Sequence, residues 1–370
     1  MKMKKKVLFL INTLRDGGAE KVLVDIVNHL DPSVYDIEVR LIYEWGIYMD
    51  KLNKNIKLSF ITGKPGTLWA TQVARMLPRL PSEVLHAFFI KDRYDVEIAF
   101  LEGYATKIIA GAPKETKTLA WVHCDVTKTE WISGVYKTDN GFAKCYRKID
   151  HVICVSQSVK GAFIERFGDT GNLIVKYNPV DDAAIRRKAR EEIDLKPSAD
   201  KVTLISLGRF TYPKNFLRLL KAVGNLCKNY PIELWLLGDG QERGALERYI
   251  ADHNLSDVVK MPGFISNHYP YIKNADLYVC SSIYEGFSTA ATEALVLGTP
   301  VLTTDVSGMR EMLGDNEFGL ITENFDKAFE SGLNLLLCDE QLLRLYGMRA
   351  KQRAAHFEMW NRLSDIEKLF

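Results

Sequence analysis

The chain has 370 residues, 47% of them hydrophobic and 26% charged, with a formal net charge of +2. That length favours two domains over one core, and the balance is that of a soluble globular protein rather than a disordered or fibrous one. Six cysteines, at 124, 145, 154, 227, 280 and 338, form no C-x-x-C pair, which argues against a zinc site and for reduced thiols in a cytoplasmic protein.

The opening, MKMKKKVLFLINTLRDGG, has the basic-then-apolar order of a signal peptide, but its apolar run, 7–11, is only five residues long. A secretory core needs roughly 7–15 apolar residues. The run is therefore expected to be a first β-strand, and no later run is long enough to span a membrane. Further strands are expected at 37–43, 56–61, 96–101, 118–122, 151–156 and 173–177, with helical patterns between them, as at 19–30 and 158–167. The stretch YNPVDDAAIRRKAREEIDLKPSAD (177–200) is dense in charge, with a proline near each end, and reads as a domain junction. Strands resume at 202–208, 232–238, 258–264, 277–281, 300–304 and 319–321, and from about Asn324 the pattern is helical. Strands alternating with helices imply an α/β fold of two doubly wound, mainly parallel sheets. The expected domains are 1–180 and 181–356, with a C-terminal helix, 357–370. Two such sheets would face each other across a cleft, with ligands at the carboxyl ends of the strands.

Charge is uneven along the chain. Residues 1–180 hold 26 Lys/Arg and 20 Asp/Glu, and the remainder holds 23 and 27. Ordinary surfaces account for this, as does a basic first half that meets an anionic membrane surface or a diphosphate. The basic residues are dispersed and match no nucleic-acid motif.

Several segments carry residues suited to chemistry. Gly17 and Gly18 lie between the first strand and a helix. They permit close backbone approach to an anion at the helix start, although a plain tight turn reads the same way. Arg209 and Lys214, in ISLGRFTYPKN, follow a strand, and Pro213 marks a helix start beside them. Two cations at a strand mouth suit a diphosphate, against the alternative of two solvated surface charges. His123 lies just past a strand, with Asp125 and Glu130 nearby. YEGFSTAATEA (284–294) places Glu285 on a turn, a helix start near Ser288 and Glu293 about one turn into the helix. Two carboxylate oxygens suit a vicinal diol. Acids favoured by a helix dipole give the same spacing.

Taken together, GGAE (17–20), WVH (121–123), VSQSVK (155–160), YNPVD (177–181), GRFTYPKN (208–215), LLGDG (236–240), PGF (262–264), SSIYEGFSTAATEALVLGTPVLTTD (281–305) and FEMW (357–360) resemble glycosyltransferase family 4. They run in family order over nearly the whole chain. The resemblance implies a GT-B fold and retaining transfer from a nucleotide-sugar, UDP-linked in the reading adopted here. Glu285, Gly286, Phe287 and Ser288 would hold the donor sugar and phosphate, and Glu293 the ribose. Arg209 and Lys214 would hold the diphosphate. Gly17 and Gly18 would line the donor–acceptor junction, His123 would touch the transferred sugar, and the backbone near Phe264 would meet the base. Thr211, Tyr212 and Ser288 depart from the commoner family pattern. The expected acceptor is a glycan or a sugar on a polyprenyl diphosphate, in capsule or O-antigen synthesis at the inner face of the membrane. Neither cofactor nor metal is expected, and no nucleic acid. The rival readings are an epimerase or hydrolase of the same fold and a non-catalytic nucleotide-sugar binder.

Overall fold

The computed structural model describes residues 3–129, 134–136 and 138–370; Glu130 lies outside them. Among the described residues, each apolar run expected to be a strand is one. The first seven are β1 (Lys5–Ile11), β2 (Tyr35–Tyr43), β3 (Lys57–Thr62), β4 (Val96–Ala99), β5 (Lys117–Val122), β6 (His151–Cys154) and β7 (Leu173–Val175). They form a parallel sheet in the order β3-β2-β1-β4-β5-β6-β7. The next six are β8 (Val202–Leu207), β9 (Ile232–Leu237), β10 (Val259–Gly263), β11 (Leu277–Cys280), β12 (Val301–Thr304) and β13 (Leu320–Thr322). They form a second parallel sheet, ordered β10-β9-β8-β11-β12-β13.

The chain divides into two units: Met1–Pro179 with Met359–Phe370, and Val180–Glu358. In the first, Val7, Leu8, Phe9, Leu10 and Ile11 are all fully buried. A central parallel strand is covered on both faces, so its sequence reads as continuous rather than alternating apolar residues. The helix Met359–Glu367 belongs to this unit, and the Phe370 ring after it meets the edges of Phe9 and Tyr35.

In the second unit Leu204, Leu234, Leu236, Val279 and Leu302 pack with Phe210, Phe216, Leu219 and Phe329. Burying one such side chain stabilises the unit by roughly 1.5–3 kcal/mol. The helix Phe216–Leu226 turns Leu219, Leu220 and Val223 onto this core, a spacing that keeps three side chains on one face. The exits of β8 and β9 are pressed together. Gly238 has φ +139°, and a Cβ there would lie 2.0 Å from the Gly208 carbonyl oxygen. Only glycine fits that contact and that dihedral.

Each sheet reverses its strand order at one place, between β1 and β4 in the first unit and between β8 and β11 in the second. In open parallel sheets, ligands gather at the carboxyl ends of strands at such a reversal.

Candidate active site

The second unit's reversal is built from two segments far apart in sequence. After β8 the chain passes Gly208 and Arg209 into a single 3-10 turn, Tyr212–Lys214. Asn215 then takes a left-handed conformation (φ +45°), and its side chain accepts the Arg218 N–H at the start of the helix Phe216–Leu226. Lys214 therefore ends a short turn rather than opening a helix, because Asn215 supplies the cap and resets the chain direction. After β11 come Ser281, Ser282 and the Glu285 turn. Ile283 N–H donates to the Pro213 carbonyl (2.7 Å), and Ser281 Oγ donates to the Lys214 carbonyl (3.0 Å).

This stitching fixes a charged pair. Glu285 Oε1 accepts from Lys214 Nζ and from Ser282 Oγ, each at 2.6 Å. Burial works against the Lys214 ammonium, but Glu285 and the neighbouring Cys280 outweigh it and raise the pKa above the usual lysine value. Arg209 lies close enough that its charge counts against that of Lys214. Two cations held near each other are relieved by an anion between them. An ammonium has three donors, and Glu285 takes one of them. From behind, buried Arg218 donates to the Ser281 carbonyl (3.3 Å), Asn324 (2.7 Å) and Asp326 (2.9 Å). Asn324 in turn donates to the Ile283 carbonyl (2.9 Å).

The second glutamate is deeper. Ser288 caps the helix Thr289–Leu297, its Oγ accepting the Ala291 N–H at 3.3 Å. Serine provides at this position the acceptor that a helix start needs. Glu293, one turn along, is 2% exposed and bonded through Oε2 to His268 Nε2 at 2.8 Å. Tyr278, buried on β11, has its pKa raised well above the ordinary value, first by burial, with Glu285 and Glu293 among the further causes. The two acids thus act on one buried phenol. Gly286 and Phe287 pack against the loop at Gly308 (φ +80°), where a Cβ would lie 2.8 Å from the Gly286 carbonyl oxygen. Phe264, 56% exposed, follows β10, two strands away from β8.

In the first unit Gly17 is the N-cap of the helix Gly18–His29, and a Cβ on it would strike the Glu20 carboxylate. His123 follows β5. Its ring sits 4.9 Å from that of Phe100, with Nε2 buried and unpartnered among the described residues. Burial lowers its pKa to about 3, against a hydrogen bond to the Phe100 backbone, so the imidazole is neutral near pH 7. Beneath it Glu102 is fully buried. Its Oε1 accepts the backbone N–H groups of His123 and Cys124, the latter at 2.9 Å. Burial raises the Glu102 pKa despite those bonds.

Sequence reasoning missed His268, Ser282, Arg218 and Glu102. The last was visible as a lone acid behind the apolar run VEIAFL. His268 precedes Tyr-Pro at a helix start, a weaker signal. Ser282 and Arg218 act through partners 3 to 108 positions away that no local pattern announces. Among the described residues no group of three or more His, Cys, Asp or Glu could hold a metal ion.

The family described as "Glycosyl transferases group 1" matches residues 188–353. A Campylobacter jejuni N-acetylgalactosamine-N,N'-diacetylbacillosaminyl-diphospho-undecaprenol 4-alpha-N-acetylgalactosaminyltransferase is 36% identical over 50% of this chain and 49% of its own length. The Rhizobium meliloti lipopolysaccharide core biosynthesis glycosyltransferase LpsE is 29% identical over 53% of this chain and 56% of its own. The chain thus spans about half the length of these two curated relatives. A second Campylobacter jejuni protein, a GalNAc-alpha-(1->4)-GalNAc-alpha-(1->3)-diNAcBac-PP-undecaprenol alpha-1,4-N-acetyl-D-galactosaminyltransferase, is 27% identical over 96% of this chain and 95% of its own. The crystal structure of Anabaena HepE with UDP and glucose superposes with a TM-score of 0.79 at 20% identity, covering 98% of both chains. Sucrose-phosphate synthase from Thermosynechococcus elongatus gives 0.79 at 18% identity, covering 99% and 98%. The fold is that of the GT-B glycosyltransferases, and residues 188–353 match the family described as glycosyl transferases group 1.

Proposed function

We propose that the protein is a retaining, metal-independent hexosyltransferase. It takes a sugar from a nucleotide-sugar, UDP-linked, and passes it to a glycan or polyprenyl-diphosphate-linked acceptor in cell-surface polysaccharide synthesis. The observation that carries this reading is the Lys214–Glu285–Ser282 cluster at the β8/β11 reversal, beside the capped start of the helix Thr289–Leu297. Relatives named for undecaprenol-linked substrates, and neighbours crystallised with UDP, support the choice of donor and acceptor class.

In this reading Lys214, Arg209 and the helix N–H groups neutralise the departing diphosphate, which takes the acceptor's proton on the same face. The protein's contribution is electrostatic preorganisation rather than a covalent intermediate. Glu285 orients Lys214 and accepts from the transferred sugar, with Gly286, Phe287 and Ser288 lining the phosphate. Glu293, its carboxylate held by His268, receives the ribose hydroxyls. The exit of β10 at Phe264 receives the base. Neutral His123 offers an uncharged nitrogen to a sugar hydroxyl, and Gly17 and Gly18 leave room for the acceptor. No cofactor takes part. Among the described residues no helix is long and apolar enough to cross a membrane. We assign the protein to the cytoplasmic side, in peripheral contact with an anionic membrane.

Incubation with UDP-, GDP- and ADP-sugars tests the assignment. Nucleotide release that requires an acceptor supports transfer. Turnover without an acceptor makes the protein an epimerase or hydrolase, and tight binding without turnover makes it a binder.

A further inference from the structure

Large apolar side chains on a protein surface are ordinary when scattered and informative when gathered. In the first unit they gather on two helices between β3 and β4. The helix Leu68–Met76 begins with Leu68, 86% exposed, and Trp69, 40% exposed. The helix Ser82–Phe89 presents Val84 and Phe88, at 48% and 49%, one turn apart on one face. The rings of Trp69 and Phe88 stand 6.3 Å apart, so the two helices share one patch. Trp69 is held there by its indole N–H, which donates to the Ile61 carbonyl at 3.1 Å.

Cations lie on and beside these two helices in the sequence. Lys64, Arg75, Arg79, Lys91 and Arg93 are all exposed, and Arg75 lies two turns beyond Leu68 on the same helix face. Only two acids, Glu83 and Asp92, fall within 60–93. Glu83 is paired with Lys148, and Asp92 lies 3.7 Å from Arg40 and 3.9 Å from Lys57. The acids are thus already engaged, while the surface keeps its positive charge. Exposed tryptophan, phenylalanine and leucine on helices that carry or adjoin exposed lysine and arginine fit the boundary between headgroups and acyl chains. The apolar residues enter it and the cations meet the phosphates. A protein partner of matching shape would leave the cations without counter-charge unless it were acidic.

We propose that the 68–76 and 82–89 helices form a membrane-docking face that seats the first unit on an anionic lipid surface, with Leu68, Trp69 and Phe88 inserted. This rests on the reading that the acceptor is lipid-linked, and it goes further by naming the face and by making its attachment partly apolar. Salt therefore weakens binding without abolishing it, unlike a purely electrostatic attachment through the N-terminal lysines.

The test is co-sedimentation of the full chain with vesicles of phosphatidylcholine alone or with 30% phosphatidylglycerol, at low and high salt. The wild-type chain should bind the anionic vesicles and retain a measurable fraction at high salt. Leu68→Ser with Phe88→Ser, which spares the Trp69 hydrogen bond, should lower partitioning about tenfold or more at both salts. Arg75→Gln with Arg79→Gln should lower it only on anionic vesicles, by about fivefold per residue. Brominated lipid should quench wild-type tryptophan fluorescence, and Trp69→Phe should remove that quenching. Unchanged melting temperatures show that the variants fold. The proposal is overturned if the wild-type chain ignores both vesicles, if the serine variant binds like wild type, or if the patch instead drives self-association that the serine variant abolishes. Vesicle binding needs neither donor nor acceptor. A chain that transfers sugar but ignores vesicles refutes the docking face alone, and one that binds vesicles but transfers nothing refutes the transferase reading alone.

Discussion

The two strand-order reversals have the same backbone plan and opposite chemistry. At β8/β11 a lysine, a glutamate and two serines are tied together, with a buried arginine bracing the loop from behind. Beside the first unit's β1/β4 reversal, past the ends of β4 and β5, a neutral histidine rests on a fully buried glutamate whose bonds go to backbone. The basic half of the sequence therefore holds the less charged of the two reversals, and the braced cation pair lies in the acidic half. Net charge reports the whole surface, whereas anion affinity depends on a few donors held together out of bulk water. The first unit's excess of cations is accordingly better matched to a broad anionic surface than to a diphosphate.

The largest expected effect would break this comparison outright. Lys214→Ala removes the donor and leaves Glu285 without its cation. Turnover should fall by about tenfold or more, since one charge-assisted hydrogen bond is worth roughly 1.5–3 kcal/mol. Arg209→Ala should also cost about tenfold, at the smaller end because the side chain is exposed. Steady-state kinetics with normal values for both would remove the second unit's reversal from the reaction.

A subtler division sharpens it. Glu293→Gln should weaken calorimetric binding of the free nucleoside diphosphate by roughly 1–3 kcal/mol, and His268→Ala should weaken it in the same direction by unfixing that carboxylate. Glu285→Gln should depress turnover without weakening the free nucleotide, because the amide releases Lys214 toward the phosphates. The same change withdraws support for the raised Lys214 pKa, so affinity in this variant should decline at a lower alkaline pH than in wild type. Equal losses of nucleotide affinity in the Gln variants of both glutamates would refute the assigned roles.

The first unit's buried histidine makes a prediction about acid. His123 has a pKa near 3 when folded and about 6.5 when unfolded, so the unfolded chain binds the extra proton between those values. Stability is lost as pH falls through that window, by about 2 kcal/mol between pH 7 and pH 5 from this residue. Urea unfolding of His123→Gln at both pH values should show that much less acid sensitivity than wild type. An unchanged difference would mean that the ring is hydrated and titrates normally.

The smallest expected effect is none at all: activity should persist in excess EDTA. Loss on chelation with rescue by Mg²⁺ or Mn²⁺ would mean that Lys214 and Arg209 do not suffice for the diphosphate.

Much of the fold was legible because each of its signals is local. β1 from Val7 and β9 from Leu234 read as apolar runs, since a central parallel strand is buried on both faces. Ser288 announced the start of its helix because a cap needs a hydroxyl within three residues of an unpaired N–H. The motif GRFTYPKN located Arg209 and Lys214 at a strand mouth, but the helix start expected at Lys214 fell instead to Phe216, because Asn215 adopts a left-handed conformation and caps the helix.

What the sequence determined by itself was the periodicity, hence the thirteen strands among the described residues, their parallel sense and the residue types at their exits. Tertiary structure decided which exits meet. Alternation makes sheets parallel but does not order their strands, so nothing local places β8 beside β11 or Lys214 against Glu285, 71 positions away. The same holds for His268 on Glu293 and for Glu102 beneath His123. Each is a contact between a side chain and a distant segment, and its partner is chosen by how the sheets pack rather than by the residues beside it in the chain.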